Sequence, residues 1–505
     1  MKQIVSVDLM RKSDFATTYG GISGKELMQR AAMGVYESVT WQGKIAIVCG
    51  SGNNAGDGYA LALILNENRI GCDLVLINEN KLSPDGKYYF DKCLNDKIST
   101  LPLEKCDFKS YDIIVDCIFG TGFKGSVTGK EEYAIREING SGAYVVSVDI
   151  NSGLNGDSGM CNMAVRSDIT VSVGSLKSGH FLGMAKDHIK KLVNCDIGIK
   201  LTDKPYSLIE KADCVKAFKE RKQFSNKGDY GYVALIGGCM EYSGALKLAN
   251  LALSSLKTGA GVVKLATARG LYNSVSPYLL ESTFYPLDDR DGAILYNGEQ
   301  IDNLLKGIKV VAIGMGIGNT EDVYKILVRI LKNHAITVII DADGLNALSK
   351  FGKEILKETK CNVVLTPHPK EMERLSGISV ADILNSPIEA ARGFAKEYGC
   401  IVLLKGASTV ITDGYDVMIS PSGCSGMATA GSGDVLSGIL LGMLGQNPEK
   451  ADALLTVCAG AYINGRAGEI AEGRINPISM TSKDTVDAIA DAVNEIFYTD
   501  TQQKC

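Results

Sequence analysis

Short runs with no polar alternation recur along the chain and are separated by stretches whose apolar residues repeat at helical spacing. Residues 44–49 (Lys-Ile-Ala-Ile-Val-Cys), 112–117 (Asp-Ile-Ile-Val-Asp-Cys) and 143–150 (Ala-Tyr-Val-Val-Ser-Val-Asp-Ile) are such runs, and each reads as a strand covered on both faces. Residues 6–40 and 59–65 read as helices. In the second half, residues 232–236, 261–267, 310–313, 337–340, 362–365 and 401–404 read as strands. Helical stretches at 321–332 and 388–397 separate several of them. Alternation of this kind predicts α/β architecture with largely parallel sheets covered by helices. Residues 200–229 are polar, charged and poor in apolar periodicity, which places a domain boundary near residue 210 and domains at 1–210 and 211–505. No sequence repeat links the halves.

The predicted strands end in glycine-bearing polar loops. The first runs into Gly50-Ser51-Gly52-Asn53-Asn54-Ala55-Gly56-Asp57-Gly58, the second into residues 118–125, the third into Asn151-Ser152-Gly153-Leu154. Ligands of open α/β sheets bind beyond the carboxyl ends of strands, so three such loops predict one shared pocket. The spacing is not G-x-G-x-x-G and no Walker lysine follows, which argues against a plain dinucleotide fold or P-loop enzyme. The second half repeats the theme at 314–318, at 341–348, at Thr366-Pro367-His368-Pro369, at Lys405-Gly406-Ala407-Ser408-Thr409, and at residues 426–434. The last stretch opens a helix, and its free N–H groups suit an anion such as phosphate. Asp434 stands where that anion would sit. It would repel phosphate unless it has chemical work, such as moving a proton at the reacting centre. A turn that merely caps a helix accounts for one glycine and one aspartate, not for this whole cluster.

Composition narrows the partners. Net charge is −5 with acids and bases interspersed, and no basic tract favours nucleic acid. No uncharged apolar run approaches membrane length and no signal-peptide pattern opens the chain, so a cytoplasmic location is expected. The fourteen cysteines are dispersed without a C-x-x-C pair, which suits free thiols in a reducing compartment. The four histidines lack partners at zinc-site spacing.

Gly-Asn-Asn-Ala-Gly-Asp-Gly, Val-Asp-Cys-Ile-Phe-Gly-Thr-Gly and Ser-Val-Asp-Ile-Asn-Ser-Gly-Leu resemble the NAD(P)H-hydrate epimerase family over residues 1–200. That resemblance implies a Rossmann-like three-layer domain. Substrate contacts would lie at Asn53, Asn54, Ala55, Gly56 and Asp57, and at Gly120, Thr121, Gly122, Phe123, Lys124, Gly125 and Ser126. The catalytic carboxylate would be Asp149, and a potassium ion would lie between Asn54, Asp116 and Ser152. Ala55 stands where the family usually has glycine, and Asn151 where it usually has proline.

Asp-Ala-Asp-Gly-Leu-Asn-Ala-Leu, Thr-Pro-His-Pro-Lys-Glu-Met, Leu-Lys-Gly-Ala-Ser-Thr and Gly-Met-Ala-Thr-Ala-Gly-Ser-Gly-Asp resemble the ADP- or ATP-dependent NAD(P)H-hydrate dehydratases of the ribokinase-like superfamily, over residues 225–500. The resemblance implies hydrate contacts at Ala245, Gly316, His368, Pro369, Lys370, Glu371, Met372, Glu373, Arg374 and Asp434. Lys405, Gly406, Ala407, Ser408 and Thr409 would hold the adenine nucleotide together with Cys424, Ser425, Gly426, Met427, Ala428, Thr429, Ala430, Gly431, Ser432 and Gly433. Cys424 replaces an asparagine usual before this loop.

Together the resemblances imply a bifunctional repair enzyme using ADP or ATP, Mg2+ and K+. The nucleotide would phosphorylate the hydroxyl at carbon 6 of a hydrated nicotinamide ring, with Asp434 as base, before elimination. Asp149 would move protons near carbon 6 to interconvert the epimers. The alternative is a small-molecule kinase carrying a non-catalytic binding domain. A homo-oligomer is expected, since many enzymes of this build form symmetric assemblies.

Overall fold

The computed structural model describes residues 1–78, 82–254, 258–446 and 453–498. Two compact units divide the chain, one of residues 3–206 and one of residues 1–2 with 207–505. No helix of the described residues is long and apolar enough to cross a membrane.

The first unit holds a parallel sheet in the order Ser99–Pro102, Cys72–Leu76, Ile45–Cys49, Ile113–Cys117, Tyr144–Val148, Ile169–Val173, Leu192–Cys195. Every residue of Ile45–Cys49 and Ile113–Cys117 is buried, as unalternating apolar runs require when helices cover both faces. The chain starts at Ile45–Cys49, moves outward to Ser99–Pro102, then returns to the other side at Ile113–Cys117. Strand order therefore reverses between these two central strands, and the loops leaving their carboxyl ends diverge to leave a crevice.

The second unit repeats the plan on a larger sheet. From Ser282–Leu287 it runs through Val262–Ala268, Tyr232–Ile236, Val310–Ile313, Thr337–Ile340, Asn362–Leu365 and Ile401–Leu404, all parallel, then through two antiparallel strands, Thr409–Thr412 and Val417–Ser420, beyond which Ser207 and Leu208 pair in parallel with Met418 and Ile419. Order reverses between Tyr232–Ile236 and Val310–Ile313. The helix Glu321–Asn333 shows why such segments cover the sheet. Thr320 Oγ1 accepts from the Val323 N–H at 3.3 Å, and Val323, Ile326, Leu327, Ile330 and Leu331 form one buried stripe. The helix Ser432–Gln446 is different, since its residues from Val435 onward are buried all round. It is an internal rod, and only its N-terminus reaches the strand ends.

Gly314, at the end of Val310–Ile313, has φ +128°, and a Cβ there would lie 1.9 Å from the Asp341 carbonyl oxygen. Both facts forbid a side chain. Gly314→Ala is expected to destabilise the second unit by at least about 2 kcal/mol, read as a lowered thermal midpoint; an unchanged midpoint would contradict this packing.

Candidate functional sites

At the reversal point of the first unit lies a cleft of about 620 Å³. Its floor comes from the expected loops: Asn53, Asn54 and Asp57 after the first strand, Gly120, Thr121, Gly122 and Phe123 after the second, and Asp149 after the third. Lys124, Gly125 and Ser126 are exposed and lie outside its lining. Ala55 and Gly56 are also not lining residues. The expected turn through residue 58 is instead helical from Asn53, so Ala55 needs no positive φ and alanine is well suited there. Gly56 serves packing, because a Cβ would fall 2.5 Å from Met28 Cε.

Asp149 closes the strand Tyr144–Val148 with φ +68°. Its Oδ1 is ion-paired with the Lys177 ammonium, and its Oδ2 lies 3.4 Å from the Thr121 N–H. Burial alone would push this carboxyl up, but the Lys177 ammonium holds it below the usual carboxylate range. Asp57 and Asp14 face the same cleft. Burial, reinforced by the charge of Asp149, raises both, Asp57 the more strongly. Asp149 thus keeps its charge beside carboxyls that burial drives toward the protonated form, a contrast that acid–base chemistry uses.

Beneath the cleft, the wholly buried Asp116 accepts from Ser152 N at 2.9 Å, Ser152 Oγ at 2.5 Å, Ser147 Oγ at 2.9 Å and Ile118 N at 3.2 Å. Asn54 Nδ2 donates to the Phe119 carbonyl at 2.8 Å, while Asn54 Oδ1 is buried without a partner among the described residues. An oxygen in that condition suits a hard cation. Asn151 offsets the missing proline by hydrogen bonding. Its Nδ2 reaches Val165 O at 2.9 Å, Ser167 Oγ and His188 O at 3.0 Å each, and its Oδ1 accepts from Thr170 at 2.5 Å.

In the second unit the strand ends converge on one lysine. Lys405 Nζ lies 2.9 Å from Asp341 Oδ1 and 3.7 Å from Glu371 Oε2, and Ser437 Oγ donates to Asp341 Oδ2 at 2.7 Å. Asp434 sits in the first turn of Ser432–Gln446 beside this cluster. Burial and then the charge of Asp341 push its carboxyl up to about 7, with Lys405 opposing. The N–H groups of Gly431, Gly433 and Asp434 precede the first intrahelical bonds and are available to an anion. Gly426 N is not available, since it donates to Glu472 Oε1 at 2.9 Å, as does Ser425 Oγ at 3.0 Å.

Along the helix Pro369–Ser376 the expected contacts separate. His368 Nδ1 accepts from Lys370 N and Glu371 N at 3.1 and 3.3 Å, and Glu371 Oε2 accepts from His368 N at 2.8 Å, a reciprocal cap. Met372 is fully buried, and Glu373 ties Val380 N at 3.0 Å. Arg374 is exposed and donates to Asn346 at 2.8 Å. Gly316 and Ala245 abut, because a Cβ on Gly316 would lie 3.1 Å from Ala245 Cβ. Of the nucleotide residues, Ala428, Thr429 and Ala430 form an exposed rim, while Thr409 begins a strand.

Lys177, His180, Asp14 and Arg11 in the first unit, and Ser437 in the second, were not reached from sequence. A signal existed for two of them. Gly174-Ser-Leu-Lys-Ser-Gly-His180 is another glycine-bearing loop after a strand, Ile169–Val173.

Comparisons with known proteins fall on the same two units. A family model described as NAD(P)H-hydrate dehydratase matches residues 233–491, and one described as YjeF-related protein N-terminus matches residues 24–179. The bifunctional NAD(P)H-hydrate repair enzyme Nnr of Moorella thermoacetica is 34% identical over 490 residues, covering 91% of this chain and 91% of that protein. Its namesake from Archaeoglobus fulgidus is 32% identical, covering 97% and 98%. The crystal structure of the ADP/ATP-dependent NAD(P)H-hydrate dehydratase from Bacillus subtilis, co-crystallized with ATP/Mg2+, matches with TM-score 0.50 at 26% identity, covering 58% of this chain and 99% of that one. Since the likeness to whole two-part relatives runs through both strand-end sites, the chain belongs to the family of bifunctional NAD(P)H-hydrate repair enzymes.

Proposed function

We propose that the protein restores hydrated nicotinamide cofactors: the first unit interconverts the R and S epimers of NAD(P)H-hydrate, and the second dehydrates the S epimer to NAD(P)H at the expense of ADP or ATP. The observation that carries the reading is that relatives match along both units of one chain. The kinase alternative requires an idle first unit, whereas that unit has a cleft with an ionised Asp149 among raised carboxyls.

In the second unit, Asp434 removes the proton of the carbon-6 hydroxyl as that oxygen takes the phosphoryl group; phosphate then leaves where hydroxide could not. The N–H groups of Gly431 and Gly433 and the Lys405 ammonium face the transferred charge. Lys405 to Thr409 and Cys424 to Gly433 hold the nucleotide, while Ala245, Gly316 and His368 to Arg374 shape the hydrate side. The acids Asp341, Glu371, Asp343 and Asp434 outweigh the single Lys405, which suits a magnesium–nucleotide complex. Among the described residues no three acidic, histidine or cysteine side chains form a metal cage. Mg2+ would therefore come in on the nucleotide phosphates with one or two carboxylates. In the first unit Asn54, Asp116 and Ser152 would hold K+, which supplies fixed positive charge beneath the substrate; Asn54 Oδ1 is the group with an unmet need. The protein acts in the cytoplasm, as its free thiols suit, and as a symmetric homo-oligomer; light scattering on the purified protein tests the latter.

Absorbance of hydrated NADH should recover to that of NADH when the protein is given ADP or ATP with Mg2+, and not without nucleotide. Phosphorylation of unrelated alcohols with no recovery would overturn the reading. Exchanging K+ for choline is expected to slow epimerisation several-fold, and Asn54→Leu should abolish that dependence. A rate indifferent to K+ in the wild type would remove the cation from the site.

A further inference from the structure

We infer that Lys177 is the positioning residue for the base of the first unit: it grips one oxygen of Asp149 and leaves the other, Oδ2, aimed at the substrate. This rests on the reading of that unit as an epimerase.

A buried lysine is costly unless its ammonium is fully partnered. The Lys177 side chain is 1% exposed. Its three donors have three acceptors: Asp149 Oδ1, the Val173 carbonyl at 2.7 Å and Ser172 Oγ at 3.4 Å. It has no donor left for a ligand, so it acts through Asp149. The Asp149 side chain is 15% exposed. A Cβ on Gly120 would sit at ordinary contact distance, 3.6 Å, from Asp149 Oδ2, so Gly120 borders this oxygen.

The same loop also holds the Asp149 backbone. His180 Nδ1 accepts from Lys177 N at 3.0 Å, which fixes its tautomer and leaves Nε2–H to donate to the Asp149 carbonyl at 2.8 Å. Burial, then the Lys177 charge, lower the imidazole to about 4, so it works as a neutral strut. Asp149 N is tied to Val171 O at 2.8 Å. Together these bonds support the positive φ of Asp149, a conformation that non-glycine residues adopt uncommonly.

The charge is needed because the cleft is acidic. Asp57, Asp14 and Asp85 line it with Asp149, against Arg11 and Lys177. Remove Lys177 and the neighbouring acids, together with burial, favour protonated Asp149, which cannot accept a proton. During turnover Asp149 Oδ2 takes the proton of the carbon-6 hydroxyl as the bond from carbon 6 to the ring nitrogen opens to an aldehyde, and gives it back as the nitrogen re-adds to the other face, while Lys177 keeps its own.

The test is the pH profile of epimerisation, measured as conversion of the R epimer with excess dehydratase capacity. In Lys177→Met the limb reporting base ionisation should move to higher pH by about one unit or more, with kcat down roughly 10²-fold at pH 7 and partly recovered at pH 9. KM should change little. Lys177→Arg, which keeps the charge, should return the limb towards the wild-type position. Should Lys177→Met fold poorly, ¹³C-labelled aspartate signals in Lys177→Arg and His180→Gln serve instead, with Asp149 ionised at neutral pH in the first and shifted upward in the second. A uniform loss of rate with the limb unmoved would overturn the inference and leave Lys177 a structural salt bridge. A wild-type protein that does not epimerise would overturn the epimerase reading itself.

Discussion

Asparagine at position 434 is expected to cut dehydration by about 10²–10⁴-fold while ATP still binds and the protein becomes more heat-stable at pH 8. Both effects have one cause. Asp434 is held among Asp341, Asp343 and Glu371 with only Lys405 in opposition, and its carboxyl is pushed from 3.8 up to about 7. A group whose folded value is raised binds its proton more tightly in the native state. Its contribution to stability is therefore complete below pH 3.8 and is lost as pH rises through about 7. Asparagine has the same shape without the charge. The gain over wild type should be nil near pH 4, grow up to pH 7 and level off at roughly 3–6 °C. Calorimetry across pH tests this, and ATP titration of the same protein tests the nucleotide site. A variant that lost ATP binding would make Asp434 a cradle residue, not a base. In the wild type, kcat/KM should rise with pH through an apparent value near 7, a limb that asparagine cannot show. The arrangement places strain at a functional carboxylate, the pattern expected when activity and stability compete for one residue.

The parallel strands were legible because their runs are short and unalternating. Tyr232–Ile236, Val310–Ile313, Thr337–Ile340, Asn362–Leu365 and Ile401–Leu404 fall where periodicity puts them. The pair Thr409–Thr412 and Val417–Ser420 went unread, being short and joined by Asp413-Gly414-Tyr415-Asp416, which reads as loop. The helix start at Asn53 was hidden for the opposite reason: Asn, Gly and Asp are turn formers, and only the strand behind them makes a helix end there. At the sites, acids at strand ends could be found from position alone. Lys177 was missed although its glycine-bearing loop follows a strand, because a lysine among serines and glycines reads as exposed and its partner, Asp149, lies twenty-eight residues back. Ser437 was missed similarly, as a hydroxyl inside an apolar helix whose partner, Asp341, lies ninety-six residues away.

Given an equal mixture of the two carbon-6 epimers of hydrated NADH, with ATP and Mg2+, Asp149→Ala is expected to restore about half of the absorbance at the wild-type rate and then stall. Asp434 and the cradle around it form a chiral site, and a base fixed on an internal helix can meet the carbon-6 hydroxyl from one side only. The other epimer must be inverted first, at a centre bonded to both nitrogen and oxygen, which requires a proton acceptor in the ionised state. Asp149 is the cleft carboxylate held below its usual range, whereas burial and the charge of Asp149 raise Asp57 and Asp14. Asp149 is thus the better placed base, and alanine should slow the second phase by about 10²-fold or more. The first phase should be untouched, because the second unit keeps its own Lys405, Asp341 and Asp434 cluster. Adding separately purified Asp434→Asn protein, whose first unit is intact, should complete the recovery. A single-phase progress curve in Asp149→Ala would mean that another group inverts the carbon, or that the second unit accepts both epimers.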